Sequence, residues 1–254
     1  MADRQEQPGR GAFPETADIE TASEDYARRF AGSTGEWFLE VQAAATRHLL
    51  ASDPPGPVLD VGGGHGQLAR PLCGAGYRVT VLGSRASCED RIADLVRTET
   101  CAFRVGNVVA LPFSDNAFPA VLSFRLLPHC TRWPRLVSEL CRVARREVIV
   151  DYPAVSGFNA LAPALFSAKK SIEQNTRTWR QFRHAEIDDA FRENGFRPAG
   201  RVGQFFWPMV LHRALHWRTL SRLLEGGADI VCLRRRFGSP VVARFEKAGT
   251  APGR

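Results

Sequence analysis

Pro57-Val-Leu-Asp-Val-Gly-Gly-Gly-His-Gly-Gln-Leu68 is the stretch from which the fold can be read. Val58 to Val61 is a short apolar run carrying one carboxylate, Asp60, as expected of a buried parallel strand. It breaks into Gly62, Gly63, Gly64 and Gly66, where the backbone can turn sharply and approach a ligand with no Cβ in the way. Gln67 to Cys73 then reads as the start of a helix whose free N–H groups face that ligand. Together these describe the entry of a doubly wound α/β domain, with a cofactor above the carboxyl end of its first strand.

Spacing selects the cofactor. A dinucleotide fingerprint wants glycine or alanine three positions after the second glycine, and counting from Gly62 and Gly64 that position is Gln67. An acid at Asp60 followed by glycines at 62, 64 and 66 instead resembles motif I of the class I S-adenosylmethionine-dependent methyltransferases. The resemblance implies that Asp60, Gly62, Gly63, Gly64 and Gly66 hold the methionine end of S-adenosylmethionine.

Downstream segments extend it. Tyr77 to Leu82 is a second strand, alternating and β-branched. The family ends that strand on an acid that accepts from both ribose hydroxyls; here Gly83, Ser84 and Arg85 follow, and Ser84 is the remaining acceptor. Gly106-Asn-Val-Val-Ala-Leu-Pro-Phe-Ser-Asp-Asn-Ala-Phe118 is similar to the G-D-A-x-x-L-P-F-x-D-x-S-F signature of the small-molecule branch that includes quinone-biosynthesis methyltransferases. Asn107 replaces the acid that faces the adenine amino group, and its amide carbonyl can accept that bond. Val108 and Phe124 are further cofactor-side positions by the same resemblance. Ala120 to Phe124 reads as strand four, although Pro119 stands at its usual start. Arg135 to Val143 resembles the following family helix, Glu147 to Asp151 reads as strand five, and Ile187 to Phe196 resembles the penultimate helix. Gly238 to Phe245 would be the last strand. The implied fold class is α/β: a doubly wound, seven-stranded Rossmann-like sheet with helices on both faces and the last strand antiparallel.

At 254 residues the chain suits one well-buried domain, spanning 21–248, with a tail at 249–254. Residues 1–20 mix Gly, Pro, Glu, Gln and Asp without periodicity and read as a disordered lead. They lack a secretory pattern, and no apolar run approaches the roughly 18 residues of a membrane span, so a cytoplasmic protein is expected. The six cysteines are scattered without C-x-x-C spacing, as for buried reduced thiols; Cys130, beside His129, is the one considered for reactivity. No acidic cluster suggests a metal.

Ser23 to Phe30 and Thr34 to Leu50 read as helices before the first strand, with Ser23 or Ser33 as caps. Methyltransferases of this type fold such a segment over the cofactor, which makes Tyr26 and Arg29 candidate contacts; the alternative is a surface helix with Phe30 and Trp37 packed inward. Residues 156–183 are too long for an ordinary connection of about 2–6 residues and read as an inserted, aromatic and basic substrate lid, the alternative being ordinary packing of an extra helix. Net charge is +7. Met209 to Leu224 reads as a basic amphipathic helix followed by Arg234-Arg-Arg236. Through 209–236 it could contact an anionic membrane, though packing of its apolar face on the sheet is the commoner use of such a pattern.

The activity implied is methyl transfer to the oxygen, carbon or nitrogen of a small molecule. A sulfonium methyl needs no activation, so the protein's part is to align donor and acceptor and to exclude water. His129, past strand four, is the candidate base for a poorly acidic acceptor, or else a structural turn residue. A nucleic-acid substrate is not expected, because Ser123-Phe-Arg-Leu126 stands where an N-P-P-Y type tetrapeptide would. The missing acid after strand two keeps a third reading open, a non-catalytic relative with a degenerate cofactor site. Acceptor identity and oligomeric state are not legible.

Overall fold

A computed structural model of the protein describes residues 13–50, 55–155 and 179–249. Seven strands form one sheet: β1 Pro57–Val61, β2 Arg78–Gly83, β3 Cys101–Val105, β4 Phe118–Ser123, β5 Ala144–Tyr152, β6 Phe196–Gly203 and β7 Val241–Lys247. Their order is β3-β2-β1-β4-β5-β7-β6, with β7 antiparallel to both neighbours and the other pairings parallel. The chain reverses direction across the sheet between β1 and β4, and that switch point is where such folds bind ligands.

Alternation along β1 explains the two cores. Leu59 and Val61 join Val121, Leu136, Ile187 and Phe191 on one face. Val58 joins Val79, Val81, Leu122 and Leu72 on the other. Each such fully buried side chain contributes about 1.5–3 kcal/mol. A third, smaller cluster lies toward the N-terminal helices: Tyr26, Phe30, Trp37, Phe38 and Phe205.

Several boundaries differ from expectation. β4 begins at Phe118, not Ala120, and runs through Pro119. Its register against β5 shifts between Phe118 and Ala120, and β1 pairs only from Ala120, so the missing N–H of Pro119 costs no central bond. β5 follows directly on the Trp133–Val143 helix, without an intervening loop. The N-terminal helices are α1 Ala17–Thr21, α2 Glu24–Ala27 and α3 Gly32–Leu49. Ser23 caps α2 by accepting from the Tyr26 amide, whereas α3 starts after Ala31 without a side-chain cap, so Ser33 does not cap it.

The lead does not remain unstructured up to residue 20, because α1 lies within it and Asp18 is wholly buried. Residues 1–12, and most of the expected lid (156–178), lie outside the described residues. The single helix expected from Met209 to Leu224 is two, Met209–Leu215 and Arg218–Ile230, broken where His216 adopts φ 50°. Its buried face is not the apolar one. His212, Ser221, Glu225 and Ala228 face inward, tied by a 2.9 Å His212–Glu225 contact, while Val210, Trp217, Leu223 and Ile230 are exposed.

Candidate functional site

The glycine turn is shaped by what lies against it. Gly62 and Gly66 have φ of 78° and 70°, a region that costs other residues roughly 1–2 kcal/mol. A Cβ on Gly63 would stand 2.0 Å from Oδ2 of Asp60, and one on Gly64 would stand 2.5 Å from the Cys88 carbonyl oxygen. The turn winds into a short 3-10 segment, Gly63–His65, and the helix begins only at Ala69, later than the expected Gln67. Backbone of the turn itself, more than a helix end, therefore faces the carboxyl edge of the sheet.

Beneath this turn lies an unusual carboxylate. Asp60 is fully buried, and among the described residues neither of its oxygens has a hydrogen-bond partner. Burial first, and then the neighbouring Asp151, push its pKa up to about 7. Asp151, at the end of β5, is raised by burial and accepts from the Arg125 amide at 2.5 Å. Arg125 follows β4 with φ 59°. Its guanidinium donates to Gln67 at 2.8 Å and to Gln42 of α3 at 2.6 Å, and lies 4.3 Å over the Phe30 ring. His65 is buried and held neutral: burial, then Arg125, lower its pKa to about 3. Its Nδ1 accepts from the Gln67 amide.

The end of β2 supplies the largest surprise. Ser84 does not stand alone: its amide and its hydroxyl each donate to the Asp18 carboxylate at 2.6 Å. Three residues earlier, Glu15 accepts from the Arg132 amide at 2.8 Å and from the Thr131 hydroxyl. The segment from Glu15 to Asp18 thus crosses from the β4 side of the carboxyl edge to the β2 side, and Asp18 passes Gly62. Gly83 is forced by Cys88, whose Cβ would lie 2.6 Å from a Cβ at 83.

The remaining expected residues divide. Tyr26 is buried against Phe30, with the Arg29 guanidinium 5.1 Å over its ring. Asn107 uses its side-chain carbonyl to accept from the Val109 amide, closing the turn after β3. Val108 and Phe124 are wholly buried in the two main cores. His129 ends a 3-10 turn, Leu127–His129, half-buried, whereas Arg125 is the residue after β4 that reaches the glycine turn. Cys130 is buried, and burial, and then Glu15, push its thiol up to about 12, away from the reactive thiolate. The thiols are not uniformly buried either, because Cys232 is exposed and Cys73 partly so. Among the described residues no group of His, Cys, Asp and Glu could hold a metal ion.

Much of the 106–118 signature is structural. Arg142 donates to the carbonyls of Leu111 and Phe113, to Asp115 at 2.8 Å and to Glu139 at 2.8 Å, while Glu139 accepts from the Leu111 amide. Asp115 therefore anchors an arginine rather than a ligand.

Sequence reasoning missed three residues of the site. Asp18 sits in a helix too short to show periodicity, and Arg125 and Gln42 lie on separate elements. The vacancy for an acid after β2 was the one available signal for Asp18.

The fold that carries this site is shared with known proteins. The family model described as a methyltransferase domain matches residues 59–150. An uncharacterized protein of Mycobacterium tuberculosis is 36% identical over 129 residues, covering 43% of this chain and 45% of that protein. The chain thus spans about half the length of the curated relatives it matches. A solved S-adenosylmethionine-dependent methyltransferase of Thermotoga maritima is similar in fold, with TM-score 0.65, 20% identity and coverage of 91% of this chain and 98% of that one. Magnesium protoporphyrin IX methyltransferase from Synechocystis, with bound S-adenosylhomocysteine, gives TM-score 0.62, 15% identity and the same two coverages. Residues 59–150 thus match a methyltransferase domain, and the fold is that of solved S-adenosylmethionine-dependent methyltransferases.

Proposed function

We propose that this protein transfers the methyl group of S-adenosylmethionine to a small molecule bearing an anionic group. The observation that carries the donor side is Asp60: a buried carboxylate with two unpartnered oxygens beneath a turn of Cβ-free backbone. Such a group is costly unless a cation comes to it. The donor's ammonium fits, held by Asp60 with the backbone of Gly62 to Gly66 around it. When bound, S-adenosylmethionine supplies an electrophilic methyl on a sulfonium. The chain's own residues then orient the acceptor, exclude water and, for a poorly acidic acceptor, take a proton at His129.

The acceptor side is read from arginines. Arg29 lies over Tyr26, Arg125 over Phe30 and Arg213 over Phe38, all on the aromatic cluster beside the site. Desolvation, then Arg29 and Arg125, lower the Arg213 pKa, as expected where like charges converge. Among the described residues none of the three forms an ion pair. Three cations stacked on neighbouring rings suit a planar acceptor with a carboxylate or phosphate. Incubation with isotopically labelled methyl donor and paired acceptors, each planar acid beside its neutral amide, tests this. Labelling of the acids alone supports the reading. Tight S-adenosylhomocysteine binding without labelling of any acceptor would favour the non-catalytic alternative.

A membrane-surface role is favoured by one separate observation. Trp217, Leu223 and Ile230 are 62%, 69% and 85% exposed along the two C-terminal helices, near the Arg234–Arg236 run. No helix among the described residues is long and apolar enough to cross a membrane. Co-sedimentation with phosphatidylglycerol vesicles, lost in Trp217→Glu, is the expected result; no co-sedimentation of the unaltered protein would dismiss this role.

A further inference from the structure

We infer that Asp18, reaching in from the N-terminal segment, is the carboxylate that receives the ribose hydroxyls of S-adenosylmethionine, with Ser84 as its positioning residue. This rests on the cofactor reading above and assigns the one part of that site which β2 itself leaves without an acid.

Placement comes first. In doubly wound folds the nucleoside ribose is met by an acid near the end of the second strand. That end is Gly83-Ser84-Arg85, and a side chain at 83 is excluded by Cys88. Asp18 occupies the vacancy from the other side. Both Ser84 donors hold it at 2.6 Å, the Cys88 sulfur lies at 3.6 Å, and its Cβ is 3.6 Å from the point where a Gly62 Cβ would stand. The carboxylate therefore lies between the carboxyl ends of β1 and β2.

Its chemistry agrees. Asp18 is 0% exposed, and among the described residues no cation forms an ion pair with it. A carboxylate has about four acceptor sites; Ser84 uses two, and the Cys88 thiol makes a third, weak contact. A pair of adjacent hydroxyl donors suits the remaining site together with the one the weak thiol donor gives up. A purely structural tie between α1 and β2 could use a neutral side chain, without the desolvation of a full charge. The second anchor, Glu15 on Thr131 and Arg132, fixes the segment on the far side. Docking of residues 13–21 and binding of the cofactor are then one coupled event.

Calorimetric titrations of the full chain with S-adenosylhomocysteine and with its 2′-deoxyribose analogue test this, in the unaltered protein, Asp18→Asn and Ser84→Ala. The expected loss for Asp18→Asn with S-adenosylhomocysteine is about 10- to 100-fold in Kd, the size of one to two charge-assisted hydrogen bonds. The deoxy analogue should discriminate less between the unaltered protein and Asp18→Asn, because one of its hydroxyls is gone. Ser84→Ala should lie between. Equal weakening of both ligands by Asp18→Asn would show a structural tie only and overturn the assignment, as would unchanged or tighter binding, which would mark α1 as a plug. Should Asp18→Asn fail to fold, amide exchange in the unaltered protein decides. S-adenosylhomocysteine should slow exchange over residues 17–22 more than the analogue does, and equal protection overturns the assignment. No binding by the unaltered protein would fell the cofactor reading itself, a distinct outcome.

Discussion

Asp60 and Gly63 are three positions apart and share space that holds only one side chain: a Cβ at 63 would stand 2.0 Å from the Asp60 carboxylate. Glycine is required there by the acid beneath it, whereas at Gly62 and Gly66 it is required by left-handed backbone.

The pair predicts a non-additive mutant cycle. Gly63→Ala alone should destabilise the protein by about 1–3 kcal/mol through overpacking, measured by urea unfolding. In an Asp60→Ala background the same change should cost markedly less, because the obstructing carboxylate is gone. Additive losses would show that the crowding lies elsewhere.

Asp60 also predicts a pH dependence. Its pKa is raised to about 7 in the folded chain, against an ordinary 3.8. The stability it contributes is fully present below pH 3.8 and is lost as pH rises through about 7. A cationic ligand reverses the preference by favouring the ionised form. S-adenosylhomocysteine should therefore bind more tightly as pH rises from 6 to about 8, releasing a proton that is detectable as buffer-dependent heat. Asp60→Asn should flatten the profile, and a flat profile in the unaltered protein would separate Asp60 from the ligand's ammonium.

Arg142 ties four groups of the 111–139 region, two carbonyls and two carboxylates, although it touches no part of the glycine turn. Arg142→Ala should lower stability by about 2 kcal/mol, since it leaves the buried Glu139 with only the Leu111 amide and the more exposed Arg135 as partners. The folded fraction should still bind S-adenosylhomocysteine with less than a threefold change. A large loss of affinity without a loss of stability would return this signature to the ligand.

Arg125 offers a contrasting case. Its fork holds Gln42 and Gln67 together over Phe30, so Arg125→Lys, which keeps the charge and loses the planar fork, should loosen α3 from the turn. The expected outcome is a lower Tm by a few degrees, about 2–4 °C per kcal/mol for a chain of this size, together with weaker S-adenosylhomocysteine binding. An unchanged Tm would mean that the fork bears no load.

What was legible in the residues follows from how local each constraint is. The β1 turn could be read because strand, acid and glycines are contiguous, and the sheet order followed from it. Strand ends drifted where tertiary pairing decides them, as at Phe118, whose partner is Ala144 of β5. The His216 break was hidden because an amphipathic pattern continues across it. Asp18 and Ser84 are 66 positions apart, and no spacing rule joins residues that only the folded sheet edge brings together. A segment of polar, proline-flanked residues read as disordered because its burial depends wholly on the domain it crosses.

The most direct measurement is calorimetric titration of the full chain with S-adenosylhomocysteine, beside Gly64→Asp, whose added side chain would meet the Cys88 carbonyl at the turn. Saturable binding of one ligand per chain, abolished in a Gly64→Asp variant that retains its far-ultraviolet circular dichroism, is the predicted result. Absence of heat up to roughly millimolar ligand, or undiminished binding by the variant, would contradict a methyl-donor site at residues 60–66.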